Sequence, residues 1–150
     1  MELLKKQAET LNDLVLINND RVEGYQKAME ELKDEDADLR PVFQERVDQS
    51  RKFHDELIAE VTKLGEEYAT GTKTTGKIYR AWMDVKAFFS GDDKKAILDN
   101  CVDGEAAALK AYDDALECEN ISPEQRAIII RHQADIKNSF DKIKAMRDIA

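Results

Sequence analysis

The stretch from Leu4 to Leu32, LKKQAETLNDLVLINNDRVEGYQKAMEEL, sets Leu4, Ala8, Leu11, Val15, Asn18, Val22, Tyr25, Met29 and Leu32 in alternating steps of four and three. Side chains at that spacing share one stripe of an α-helix, and the stripe continues for roughly eight turns. An unbroken heptad-like seam of this length is built to pack on other helices. Asn18 is its one strongly polar member. The acidic run Lys33-Asp34-Glu35-Asp36-Ala37-Asp38 ends the stripe as a polar turn, and Pro41 fits the first turn of a second helix, where its missing N–H costs nothing.

The second stripe is Phe43, Val47, Ser50, His54, Leu57, Val61 and Leu64, with Arg51, Phe53 and Ile58 flanking it. It fades near Thr70, and Gly71-Thr72-Lys73-Thr74-Thr75-Gly76 reads as a linker. A shorter amphipathic segment follows, with Ile78, Trp82, Val85 and Phe89 on one face, and stops at Ser90-Gly91-Asp92. The third long helix carries Leu98, Cys101, Glu105, Ala108, Tyr112 and Ala115. The fourth opens on Ser122-Pro123-Glu124-Gln125, a capping box with proline at the first helical position. Two phases compete along it. Ile129, Gln133, Ile136, Phe140, Ile143 is preferred over Ile129, His132, Ile136, Ser139, Ile143, Met146, because a phenylalanine gains more from burial than a serine. The spacing therefore predicts helices over about 2–33, 38–70, 77–89, 92–117 and 123–148 in a single all-α domain. A bundle whose second and third helices are joined by one long crossover has a use for the short 77–89 segment.

Composition agrees with helices. Charged residues make up 37% of the 150, aromatics 7%, with six glycines and two prolines. The net charge of −9 excludes a nucleic-acid or anionic-membrane partner, since a phosphate surface calls for a basic face. The first residues lack the apolar run of a signal peptide, and no stretch approaches the ~20 apolar residues that span a bilayer, so the expected setting is cytoplasmic. Cys101 and Cys118 fall on one helix about 25 Å apart, beyond disulfide reach. Cys101 reads as a small buried hydrophobe and Cys118 as a thiol near a helix end. Asp34-x-Asp36-x-Asp38 with Glu45 imitates an EF-hand loop, but Leu39 stands where the turn requires glycine, so a solvated helix connection is the better reading.

Polar residues on the seams carry what chemistry there is. Asn18-x6-Tyr25 in the first half is matched by Glu105-x6-Tyr112 in the second, two turns apart on an apolar stripe in each case. In di-iron four-helix bundles, carboxylates from comparable positions point inward to hold metal.

Gly24-Tyr25, Arg51-x-Phe53 with Glu56-Leu57, Trp82-x-x-Val85-Lys86-Ala87, Gly91-Asp92-Asp93, Gly104-Glu105-x-x-Ala108-Leu109-x-x-Tyr112 and Asp141-x-Ile143-x-Ala145-x-Arg147-Asp148 span nearly the whole chain. In order and spacing they resemble the ferritin-like four-helix bundles of the family called domain of unknown function 2383. The resemblance implies a ferritin-like fold and no established activity. The wider ferritin-like pattern asks for a Glu on each of two helices and Glu-x-x-His on each of the other two. Carried over by position, the first Glu becomes Asn18, and the first Glu-x-x-His becomes Arg51-Lys52-Phe53-His54. Glu105 is kept, and the last helix offers Ile129-Ile130-Arg131-His132.

One carboxylate cannot neutralise two divalent metals, and a neighbouring arginine adds repulsion. The expectation is a degenerate dimetal centre with no cofactor, replaced by a buried polar layer of Asn18, Tyr25, Arg51, His54, Glu105, Tyr112, Arg131 and Gln133. Arg51 or Arg131 would be the counter-charge that a buried Glu105 needs. The corresponding role is non-catalytic: structural, stress-associated or interaction through helix faces. Leu3, Leu14, Ile17, Phe53 and Ile58 widen the seams in a way that suits a homodimer, or equally a thicker core. The alternative is a metal-binding protein or oxidoreductase holding iron, manganese or zinc through Glu105 with His54 or His132. The few histidines leave no Ser-His-Asp or Cys-His arrangement to draw on.

Overall fold

A computed structural model describes residues 2–68 and 93–150. Four long helices account for most of them: α1, Glu2–Glu31; α2, Arg40–Lys63; α3, Lys94–Glu117; and α4, Pro123–Asp148. A 3-10 turn over Asp34–Leu39 joins α1 to α2. The segment expected to be a crossover helix over 77–89 lies outside the described residues. Among the described residues no helix is long and apolar enough to cross a membrane.

Local chemistry sets the helix ends. Pro41 sits in the first turn of α2, where no intrahelical N–H is lost. That helix stops at Lys63, short of the expected 70, because Gly65 turns the chain into the left-handed region at φ 75°. At the start of α3, Asp93 accepts a hydrogen bond from the Ala96 N–H at 2.8 Å. α4 begins with the full reciprocal box. Ser122 Oγ accepts from the Gln125 N–H at 3.1 Å, and Gln125 Oε1 accepts from the Ser122 N–H at 2.9 Å.

α1 packs along both α2 and α3, α3 packs along α4, and α2 and α4 touch only sparsely. Cross-helix contacts fix the directions. Arg21 meets Ser50 on α2 and Glu105 on α3, while Gln7, near the start of α1, donates to the Asn120 carbonyl just past the end of α3. α1 is thus antiparallel to both neighbours, so α2 and α3 run parallel. The end of α2 and the start of α3 lie at opposite ends of the bundle.

The apolar interior comes in two blocks. One gathers Leu11, Val15 and Ile17 with Phe53, Leu57, Ala108, Tyr112, Ile129 and Ile136. The other gathers Tyr25 and Ala28 with Phe43, Val47, Ile97, Leu98, Cys101 and Ile143. On every helix the residues between the two blocks are polar and buried: Asn18 and Arg21 on α1, Ser50 on α2, Glu105 on α3 and Ser139 on α4.

Candidate functional site

That polar layer is built around an ion pair closed off from water. Arg21 and Glu105 are both 0% exposed. Arg21 Nε donates to Glu105 Oε1 at 2.5 Å and Nη2 to Oε2 at 2.9 Å, the two-pronged geometry that suits guanidinium and carboxylate. Burial pulls the Arg21 pKa down, but the adjacent Glu105 outweighs it and holds the group above its ordinary value. The remaining arms are satisfied too. Arg21 Nη1 donates to Ser50 Oγ at 3.0 Å, and Nη2 also reaches Ser139 Oγ at 3.2 Å. Ser139 in turn donates to Glu105 Oε2 at 2.5 Å and accepts from Arg46 Nε at 3.0 Å. Tyr25, two turns from Asn18 on the same stripe, lies under the guanidinium, with Arg21 Cζ 5.7 Å from its ring centre, and packs against Phe43 at 5.5 Å.

A second chain of hydrogen bonds leads outward. Asn18 Nδ2 donates to the Leu14 carbonyl and to Tyr112 OH, each at 2.9 Å. Tyr112 OH lies 3.0 Å from His132 Nδ1, and His132 Nε2 lies 3.4 Å from Glu56 Oε1. With Asn18 donating to the phenol, the phenol donates to Nδ1, and the imidazole carries its proton on Nε2 facing Glu56. Burial holds the His132 pKa down to about 4, against the attraction of Glu56, so the ring is neutral around pH 7. His132 also stacks on Phe53, with ring centres 3.9 Å apart. The chain ends at the surface, where Arg131 Nη2 pairs with Glu56 Oε2 at 2.5 Å and holds that carboxyl below its usual range.

Of the residues expected in the layer, Asn18, Tyr25, Glu105 and Tyr112 are fully buried there. The other four lie elsewhere. Arg51 is exposed, because Ser50 takes the inward position on α2 and the next residue points about 100° away. His54 is half-buried in a groove between α1 and α2, its Nδ1 3.1 Å from Asp55 Oδ1. Arg131 is exposed on Glu56, and Gln133 is half-buried and donates to Asp113. These last two follow from the phase of α4, which turns His132 and Ser139 inward, the reverse of the preferred reading. Phe140 remains at the edge of the core, with Lys137 Nζ 5.1 Å from its ring centre.

The sequence reading missed Arg21, Arg46, Glu56 and Ser139. For Arg21 a signal was present. Leu14, Ile17, Arg21, Gly24 and Ala28 form a second stripe in steps of three and four beside the first, and all five are buried.

The model of the family described as Domain of unknown function (DUF2383) matches residues 6–118. The chain belongs to that family. In structure it is similar to a mutant form of Dps1 from Mycobacterium smegmatis, at a TM-score of 0.82 and 14% identity over 97% of each chain. The likeness shows the fold, a ferritin-like four-helix bundle. No curated protein matches the chain in sequence.

Ferritin-like bundles that hold two metals place inward carboxylates on all four helices. The residues of this DUF2383 chain do not fit that group. The layer offers one carboxylate, both of whose oxygens are taken by Arg21. Among the described residues no three His, Cys, Asp or Glu side chains are placed to hold one metal ion. A guanidinium in contact with Glu105 would also repel a divalent cation.

Proposed function

We propose that this is a non-catalytic helical-bundle protein in which a polar layer centred on Arg21 and Glu105 stands where related bundles carry a dimetal centre. The observation that supports it is the Arg21 guanidinium seated on both oxygens of Glu105 in mid-bundle. A fixed organic cation there supplies the counter-charge a metal would give and presents no open coordination position. The layer then acts on the fold. It holds the four helices in one register, because sliding any of them would leave a charge in hydrocarbon. Activity passes to the outer faces, where a structural or helix-mediated interaction role, including self-association, is the reading offered.

Elemental analysis of metal-free protein after incubation with ferrous iron, manganese and zinc provides the test. The expected result is no stoichiometric uptake by folded protein. Stoichiometric binding that Glu105→Ala abolishes would replace this reading with the metalloprotein or oxidoreductase alternative.

A further inference from the structure

Where α2 and α4 stand apart, a surface cleft of about 530 Å³ runs in toward the polar layer. Arg46 and Ser139 line it together with Asn138, Lys52 and Lys142. Arg46 is only 8% exposed. Its Nε and Nη1 donate to uncharged acceptors, Ser139 Oγ at 3.0 Å and the Val42 carbonyl at 3.2 Å. Among the described residues one carboxylate lies within ion-pair distance, Glu45 at 3.5 Å, and its side chain is 78% exposed. Glu105 does not serve as counter-ion, since Arg21 and Ser139 occupy its oxygens. Arg46 Nη2 has no acceptor among the described residues and is not sealed from solvent.

The inner wall of the cleft thus carries a nearly buried cation with a donor to spare. Its surroundings favour negative charge as far as this acidic chain allows. α2 and α4 together carry eleven basic and nine acidic side chains, against seven and thirteen on α1 and α3. We infer that the cleft binds a small molecule through an oxyanion, a carboxylate or phosphate group, seated on Arg46 with the Asn138 amide and the Lys52 and Lys142 ammonium groups around it. Glu45, Asp48 and Asp135 also line the cleft. They compete for the same cations, which keeps affinity modest and turns away extended polyanions.

Titration of ¹⁵N-labelled protein with sodium phosphate and, separately, sodium acetate at constant ionic strength tests this by NMR. Saturable millimolar shifts at the Arg46 Nε–H and the Asn138 side-chain amide are expected, and Arg46→Met removes them. Lys142→Gln weakens binding about threefold and Glu45→Gln tightens it about threefold, the scale of a partly exposed charge. Response to phosphate alone identifies a phosphate-bearing ligand, response to acetate alone a carboxylate, and response to both the shared oxyanion chemistry. Absence of saturable shifts with either probe overturns the proposal, as do equal shifts in folded Arg46→Met. Should Arg46→Met not fold, the opposite effects of the Lys142 and Glu45 variants decide, and their absence overturns it equally.

Discussion

Arg21 and Glu105 have given up water on every side, and the energetics of such a pair turn on what either charge would do alone. Each is held only by the other and by two serine hydroxyls. Glu105→Ala leaves a guanidinium in the core with no counter-ion, and a loss of about 3–5 kcal/mol is expected in chemical denaturation. The double variant Arg21→Met with Glu105→Leu removes both charges and is expected to recover most or all of that loss, because desolvation of the pair itself offsets much of its attraction. If the double variant is as unstable as the single one, the layer contributes more than charge balance. The pair also marks where the sequence was hard to read. Glu105 stands out among small and apolar neighbours. Arg21 does not, because an arginine beside an acidic residue reads as solvent-facing until its partner on another helix is known.

At the level of the helices, local signals were the legible part. Stripes in steps of three and four placed α1 to α4, and the Ser122-Pro123-Glu124-Gln125 box marked the start of α4. Ser122→Ala removes an acceptor from the first turn and is expected to cost about 1 kcal/mol, read as a shift in the denaturation midpoint at unchanged slope. The facing of α4 was not legible from apolar volume. Phe140 outranks Ser139 on that criterion, yet Ser139 is the buried one because it hydrogen-bonds Glu105 and both arginines. Burial of a small polar side chain is decided by partners on three other helices, none of them visible in the periodicity of its own. The α2 boundary was misjudged for a simpler reason. Gly65 stops the helix before the threonine- and glycine-rich stretch begins.

Across the whole molecule two buried titratable groups pull stability in opposite directions with pH. Asp20 is 1% exposed, with Oδ1 lacking a hydrogen-bond partner, and burial followed by repulsion from Glu23 pushes its pKa up to about 8. The folded chain therefore keeps this proton where the unfolded chain has lost it, so stability falls as pH rises from 3.8 toward 8. His132 works the other way. The unfolded chain takes up its proton near 6.5 and the folded chain only near 4, so stability falls as pH drops through that interval. The two nearly cancel between about 4 and 6.5 and leave a net decline from 6.5 to 8. Asp20→Asn is expected to melt higher than wild type above pH 8, with the advantage gone near pH 4. A constant offset between the two melting curves at all pH values would reject this role for Asp20.

The division of the apolar interior bears on how the bundle comes apart. A helical bundle with one continuous core melts as a unit, because any breach exposes hydrocarbon throughout. Here every helix crosses a polar band midway, and the contacts on either side belong to separate blocks. Loosening one block does not strip the other of its neighbours, so only the helix backbones and the central ion pair tie the two halves into a single transition. The Arg21–Glu105 pair is then a joint as much as a fastening: with it intact the halves melt together, and with one charge removed the bundle has a line along which to part.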